Sequence, residues 1–136
     1  MSKPIPPVSR FMTTTPVSIQ SDATLVDAQK LMNEHSIRHL PVMDGEKLLG
    51  ILTDRDINFV ESFPDVDPHQ VIVGRSMQGT PYTVSPETPL DEVALTMAEQ
   101  RYGSAVVVQN GHVVGIFTTV DVCRCLLEFL ETRLRK

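Results

Sequence analysis

The sequence predicts a mixed α+β fold in which one β-α-β-β-α unit occurs twice. Three observations lead to this prediction: the chain aligns with itself, both halves show the same order of apolar periodicities, and a tight-turn dipeptide separates the last two apolar segments in each half. A shift of 65 residues pairs residues 8–56 with residues 73–121 without a gap, and 13 of those 49 positions are identical. Ordinary composition gives roughly three or four identities by chance. We therefore infer a duplication.

The first strand and the first helix of each copy follow from local patterns. A Thr-Pro pair favours an extended start, and the alternating segments 17–19 and 82–84 follow such pairs. A helix with one apolar stripe comes next in each copy. In the second copy, Thr88 and Pro89 predict a helix cap and a first-turn proline. The stripe residues are Leu25, Ala28, Leu31 or Met32 and His35 in the first copy, and Leu90, Val93 and Met97 in the second.

Two apolar segments separated by a tight turn come next in each copy. The turn dipeptides are Asp44-Gly45 and Asn110-Gly111. Both are typical of type I′ hairpins, because both central residues of that turn need positive φ. The flanking apolar segments are residues 40–43, 48–52, 105–108 and 113–117.

The duplication also sets the predicted boundaries. We expect a single module, residues 1–136, made of repeat one (8–60), a connector (61–72) and repeat two (73–127). One copy is too small to bury its own core comfortably, so the two copies are expected to pack sheet against sheet about a pseudo-twofold axis. The C-terminal helix is expected to extend to about residue 135. Its apolar stripe contains Val122, Leu126, Phe129, Leu130 and Leu134.

The composition excludes several classes of protein. With 41% apolar and 21% charged residues the chain is typical of soluble globular proteins, and no apolar run approaches the roughly 18 residues of a membrane span. The net charge of -5 disfavours tight nonspecific binding to nucleic acid. Cys123 and Cys125 stand two apart on a predicted helix and cannot pair, and the start lacks the pattern of a signal peptide. We therefore expect a cytoplasmic protein.

The motif GI-x-T-x-x-D occurs twice, at residues 50–56 and 115–121, and a helix is expected just after each threonine. Two interpretations of its acids remain open. In a capping box, the threonine hydroxyl binds a helix N–H and the acid reaches back to the cap amide. In a ligand site, the acid accepts two hydrogen bonds from a ribose diol, while the hydroxyl and the free helix amides face phosphate oxygens. The motif glycines interrupt strand patterns, which indicates a bulge, a second backbone or a ligand close by.

The order of elements, the gapless duplication, the Thr-Pro pairs, the segment Ile-Arg-His-Leu-Pro-Val at 37–42 and the two motifs together resemble the cystathionine-β-synthase (CBS) domain family, as a tandem pair over about residues 8–127. The resemblance implies a regulatory, non-catalytic module that binds an adenosine derivative (AMP, ADP, ATP or S-adenosylmethionine) in two clefts between the repeats. It also implies a homodimer that signals to another, unidentified protein. Beyond the regulatory nucleotide no cofactor is expected, and no metal.

The same resemblance implies roles for individual residues. Asp56 and Asp121 would bind the two riboses, and Thr53 and Thr118 would lie near ribose or phosphate. The second copy has Ala-Val-Val at 105–107 where the family frequently has Leu-Pro-Val. The residues expected to line adenine are Thr15, Pro16, Val17, Ile37, Pro41, Thr80, Pro81, Tyr82, Tyr102, Gly103, Ser104 and Ala105.

The two copies differ in charge at the implied phosphate positions. Repeat one carries Arg38, His39 and Arg55, whereas the equivalent positions of repeat two hold Gly, Ser and Val. We hypothesise that phosphates converge on these three side chains and that the second site is weaker or prefers a less charged ligand. The alternative is that Arg38 and Arg55 are solvated surface residues and that His39 is a hydrogen-bonded neighbour of Pro41.

Two other functions remain open from the sequence. The fold can serve mainly as a dimerisation or docking unit with vestigial clefts, using the long last helix to cover a partner. An enzyme that hydrolyses nucleotides is a further alternative, although no nucleophile stands out. The four histidines and two cysteines lack the spacing of metal ligands.

Overall fold

A computed structural model describes residues 4–14 and 16–134, and it confirms the predicted α+β fold and the order of elements in both repeats. The strands are β1 (Thr13–Thr14), β2 (Ile19–Gln20), β3 (His39–Asp44), β4 (Lys47–Thr53), β5 (Gln78–Gly79), β6 (Thr83–Val84), β7 (Ser104–Gln109) and β8 (His112–Thr118). The helices are α1 (Leu25–His35), α2 (Asp54–Glu61), α3 (Val73–Ser76), α4 (Leu90–Gln100) and α5 (Thr119–Leu134), and a 3-10 turn covers Val8–Arg10.

The chain divides into two compact units, each with one four-stranded sheet. One unit runs from Pro16 to Pro81 and has the strand order β2-β3-β4-β5. The other joins the N-terminal segment to the chain from Tyr82 onward and has the order β1-β8-β7-β6. The pairs β2/β3 and β6/β7 are parallel, and the other neighbours are antiparallel.

Each unit takes its fourth strand from the N-terminal end of the other repeat. Strand β5 lies near the start of repeat two, yet it pairs with β4 of repeat one. Strand β1 lies near the start of repeat one and pairs with β8 of repeat two. The compact units therefore differ from the sequence repeats by one exchanged edge strand each.

Each sheet is covered by the predicted helix stripe. Leu25, Ala28 and Met32 of α1 are buried in the core of the first unit, while His35 is exposed. In the second unit Val93 and Met97 of α4 are buried against β7 and β8. The stripe is confirmed, except that it ends one turn before His35.

Two local predictions differ from the structure. The helix α4 begins after Pro89, which has extended backbone and no side-chain cap, because the Thr88 hydroxyl accepts the Ser85 N–H at 3.1 Å instead. The predicted Thr88 cap is therefore wrong. The Asn110-Gly111 turn has positive φ at both residues, as predicted, but the first hairpin turns at residues 45–46, with positive φ at Gly45.

The last helix leaves most of its apolar stripe in solvent. Val122 is half-buried, whereas Leu126, Phe129 and Leu130 are exposed. The side chain of Leu134 and residue 135 lie outside the described residues. Among the helices that the structure describes, none has the length and apolarity needed to cross a membrane.

Candidate functional site

The two motif glycines are required by a close approach of the exchanged strand. A Cβ on Gly50 would meet the main-chain carbonyl oxygen of Gln78 and would lie 2.9 Å from Met77 Sδ. A Cβ on Gly115 would meet the side chain of Met12, the equivalent residue of the other leader segment. Both methionines stand directly beside the borrowed edge strands. Of the causes considered for these glycines, the approach of a neighbouring chain segment is the one observed.

Both copies of the motif form a capping box. Thr53 N–H donates to Asp56 Oδ2 at 2.9 Å, and Asp56 N–H donates to Thr53 Oγ1 at 3.3 Å. In the second copy, Thr118 N–H donates to Asp121 Oδ2 at 2.9 Å, and Asp121 N–H donates to Thr118 Oγ1 at 3.4 Å. The capping interpretation is therefore confirmed for both acids, and one carboxylate oxygen of each is already engaged locally.

The other carboxylate oxygen contacts the exchanged strand. Gln78 Nε2 donates to Asp56 Oδ1 at 3.2 Å. Thr13 Oγ1, at the equivalent repeat position, donates to Asp121 Oδ1 at 3.3 Å, and Arg124 lies 3.6 Å from the same oxygen. The borrowed edge strand thus brings a polar side chain onto each motif acid.

The predicted phosphate residues of repeat one surround the start of α2. His39 pairs with Thr53 across the β3/β4 hairpin. The Arg38 carbonyl accepts the Asp54 N–H at 3.1 Å. The side chains of Arg38 and Arg55 are both exposed. Two exposed cations therefore flank the start of α2.

Burial favours the neutral form of the His39 imidazole. Desolvation lowers the pKa of this half-buried imidazole below its usual value, and the nearby Arg38 and Arg55 lower it further, against the opposing effect of Asp54 and Asp56. His39 is accordingly neutral at pH 7. An anionic ligand placed beside it would favour the protonated form and raise its pKa.

A groove of about 490 Å³ lies in the same unit between α1 and α2. It contains two of the predicted site residues, Ile37 and Arg38, together with Asp54 at the start of α2. Its other lining residues are Gln29, Met32, Asn33, Ser36, Ile57 and Asn58.

The predicted adenine residues divide between the two units. Thr80 and Pro81 follow β5 and fall in the unit of Asp56, together with Pro16, Val17, Ile37 and Pro41. Tyr82, Tyr102, Gly103, Ser104 and Ala105 fall in the unit of Asp121. Thr15 lies outside the described residues.

The availability of these residues differs. The rings of Tyr82 and Tyr102 stack with centroids 5.2 Å apart, and Tyr102 remains exposed. Thr80 is exposed and has positive φ. Pro41 and Ala105 are buried within β3 and β7, so their contact with adenine stays a prediction.

Comparison with known proteins places the chain in a family. The family model for the CBS domain matches residues 8–60 and again residues 72–128. The chain belongs to the CBS domain family. The two matches cover most of the sequence and follow the duplication.

Among curated CBS relatives, the inosine-5′-monophosphate dehydrogenase of Korarchaeum cryptofilum is 32% identical over 123 residues. These residues are 90% of this chain but 25% of that enzyme. The chain therefore spans only a quarter of this relative's length.

Two solved CBS structures resemble the chain over nearly its whole length. A CBS domain pair in complex with 5′-methylthioadenosine and S-adenosyl-L-methionine has a TM-score of 0.83 and 28% identity, covering 93% of this chain and 99% of that one. CBSX2 in complex with AMP has a TM-score of 0.79 and 26% identity, covering 91% and 98%. Both neighbours were thus crystallised with adenosine derivatives.

The sequence-based site missed the residues that contact the second carboxylate oxygens. They are Thr13, Gln78 and Arg124. The 65-residue shift pairs Thr13 with Gln78 directly beside the matched methionines. That alignment contained the relevant information, because a motif acid and its exchanged-strand partner recur together.

Among the described residues no group of three or more His, Cys, Asp or Glu side chains is arranged to hold a metal ion.

Proposed function

We propose that this CBS pair is a regulatory module that binds an adenosine derivative at the GI-x-T-x-x-D motif, with Asp56 as the acid that accepts the ribose. The observation that carries the proposal is the position of the second carboxylate oxygen of Asp56. Oδ2 of this carboxylate caps the helix, whereas Oδ1 accepts a hydrogen bond from the exposed amide of Gln78 and, among the described residues, from no other group. A ribose hydroxyl can replace that amide as donor without breaking the cap.

The surroundings of Asp56 suit the rest of a nucleotide. The exposed guanidinium groups of Arg38 and Arg55 supply charge-assisted hydrogen bonds to phosphate, and Thr80 and Pro81 offer a wall for the base. The adenosine ligands of two neighbouring structures support the ligand class. The capping role and the ligand role of Asp56 are compatible because they use different oxygens.

Thermal melts of the whole chain test this proposal against adenosine, AMP, ADP, ATP and S-adenosylmethionine. A ligand at about a hundred times its dissociation constant adds about 2.7 kcal/mol to the free energy of unfolding, which raises the Tm on the order of ten degrees at this size. We expect the shift for at least one ligand. We expect the Asp56→Ala/Asp121→Ala double variant to lose it.

A matched control separates ligand binding from capping. Asp27 forms the same capping box with Thr24 at the start of α1, with hydrogen bonds of 3.1 and 3.2 Å. The variant Asp27→Ala should lower the Tm of the free protein by a similar amount and keep the full ligand shift. If Asp27→Ala and the Asp56→Ala/Asp121→Ala variant both lost the ligand-induced Tm shift, the loss would reflect global stability. The proposed binding at the motif would then be disproved.

The output is proposed to act on another protein through a homodimer. Leu126, Leu127, Phe129 and Leu130 form an exposed apolar face on α5, a helix that carries Arg124 and Arg133 as well as Glu128 and Glu131. Near the end of α2, Phe59 and Phe63 are also exposed. We propose that α5 of one copy packs against this end of α2 of a second copy, because the contact would bury the apolar surface of both.

Sedimentation velocity tests the dimer. The wild type is expected to sediment at twice the chain mass, and Leu127→Asp or Phe59→Asp to sediment as a monomer, because a buried carboxylate without a partner is costly. The variant Ile5→Asp changes an exposed apolar residue elsewhere and should remain a dimer. If wild type and variants have the same mass, this interface is refuted.

The docking alternative is favoured by the same α5 face. A dimer that shows no thermal shift with any of the five ligands would support docking over sensing. Turnover of ATP in the same samples would instead support an enzyme, against our proposal of a non-catalytic role. A cytoplasmic location also remains a prediction.

A further inference from the structure

The two motif acids occupy equivalent repeat positions but have unequal neighbours. Oδ1 of Asp56, the oxygen that does not cap the helix, accepts a hydrogen bond from the Gln78 amide. Asp121 accepts the Thr13 hydroxyl at both oxygens, at 3.3 and 3.4 Å, and pairs with Arg124 three residues along α5. The position equivalent to Arg124 in repeat one holds Phe59, which carries no charge.

The two motif acids also differ in burial. Asp121 is 5% exposed, whereas Asp56 is half-buried. A sugar hydroxyl can reach Asp56 by displacing one side chain, but it can reach Asp121 only by displacing two.

The displaced side chains also differ in freedom. Gln78 and Thr13 are both exposed, and the backbone of each is held in an edge strand, Gln78 by pairing with Ile51 and Thr13 by pairing with Ile116. Gln78 has three side-chain torsions, which let its amide swing into water and keep its hydrogen bonds there. Thr13 is β-branched and has a single torsion, so its hydroxyl can leave Asp121 only by a change of rotamer. Gln78 is therefore the more easily moved of the two side chains.

Charge also favours the binding of a nucleotide at Asp56 rather than at Asp121. Arg38, Arg55 and His39 lie near the start of α2, and the charges of both arginines lower the pKa of His39. The equivalent residues beside Asp121 are Gly103, Ser104 and Val120, which are neutral. At these three equivalent positions a phosphate group gains ionic contacts in repeat one and none in repeat two, where the nearby cation Arg124 is already paired with Asp121 at 3.6 Å.

From these differences we propose that each chain binds one nucleotide, at Asp56, and that the equivalent position at Asp121 is closed by Thr13 and Arg124. Gln78 is the gate: it occupies the ribose-accepting oxygen of Asp56 and leaves when the ligand binds. Asp121 serves to cap α5. This inference rests on the proposed nucleotide-binding function and specifies which of the two positions performs it.

Isothermal titration of the full chain with AMP tests the inference through stoichiometry and single variants. The wild type is expected to bind one AMP per chain. Asp56→Asn should weaken binding about 10- to 100-fold, the loss typical of a hydrogen bond to a charged group. Asp121→Asn should change the affinity less than about 3-fold. Gln78→Ala should tighten binding, since it removes the competing amide.

A transplant tests the cause of closure. The quadruple variant Thr13→Gln/Arg124→Phe/Gly103→Arg/Val120→Arg gives Asp121 the polar and charged neighbours of Asp56, and it is expected to raise the stoichiometry to two AMP per chain. The reciprocal variant Gln78→Thr/Phe59→Arg should weaken AMP binding at Asp56. Circular dichroism melts of each variant confirm that it is folded before titration.

The outcomes separate this inference from the proposed function. The single-site inference would be overturned if the wild type bound two AMP per chain. It would also be overturned if Asp121→Asn lost AMP binding while Asp56→Asn kept it. Either result would leave the nucleotide-binding function supported. A transplant that stays at one AMP would overturn closure by Thr13 and Arg124. No binding of AMP to the wild type, together with no thermal shift for the five ligands, would remove the function itself.

Discussion

Alanine in place of Gly50 is expected to lower the free energy of unfolding by about 3 kcal/mol and the Tm by about ten degrees. The added methyl group would collide with the main-chain carbonyl of Gln78 and with Met77 Sδ. A carbonyl fixed in a sheet cannot turn away, so β5 must move from β4. Chemical denaturation monitored by circular dichroism measures the loss.

The same strand pair provides the control. Gly79 lies directly opposite Gly50 in the β4/β5 register, and a Cβ there has no heavy atom within 4 Å. Gly79→Ala should therefore stay within about 0.5 kcal/mol of the wild type. Gly115→Ala is expected to fall between them, because it meets the flexible Met12 side chain. If Gly50→Ala is as stable as Gly79→Ala, the close approach of β5 is contradicted.

Removing both arginines from the start of α2 is expected to reduce ATP affinity about 100-fold or more and to leave adenosine affinity unchanged. Hydrogen bonds to charged groups contribute about 1.5 to 3 kcal/mol each, and two of them together exceed a hundredfold in binding constant. The double variant Arg38→Gln/Arg55→Gln keeps polar side chains and removes only the charges. Titration with ATP and with adenosine measures the two affinities.

A second double variant controls for net charge. Lys30→Gln/Arg101→Gln removes two exposed cations elsewhere, so that the net charge falls by the same amount. It should bind ATP nearly as tightly as the wild type. If both variants lose equal affinity, the effect comes from the long-range field of the protein rather than from local contacts. Equal affinities of the wild type for adenosine and ATP would show that these arginines do not bind phosphate.

Most of the fold could be predicted because its elements are long enough to show periodicity. The stripes of α1 and α4 and the two hairpins were visible in the sequence. Strands β1 and β5 were not predicted, because a two-residue strand shows no alternation and because each pairs with a distant part of the chain. Gly50 and Gly115 indicated that something lies close to the strands β4 and β8. A glycine does not identify the chain segment that approaches it.

The candidate site was predicted in part for a related reason. The repeated Asp indicated the candidate position in both halves, and the sequence left open whether this acid caps a helix or binds a ligand. In the structure, Asp56 reaches the Thr53 amide at 2.9 Å, so a cap and an outward oxygen coexist. The partners Gln78 and Thr13 could not be assigned from periodicity, because they come from the exchanged strands.

The crossed edge strands make the two repeats depend on each other. A protein with only one repeat would carry a leader strand whose acceptor sheet, in the pairing seen here, belongs to another repeat. Such a protein could complete the pairing by exchanging leaders with a second molecule, as in domain-swapped dimers. The same interdependence predicts that cutting the gene between the repeats yields fragments that are stable only when co-expressed.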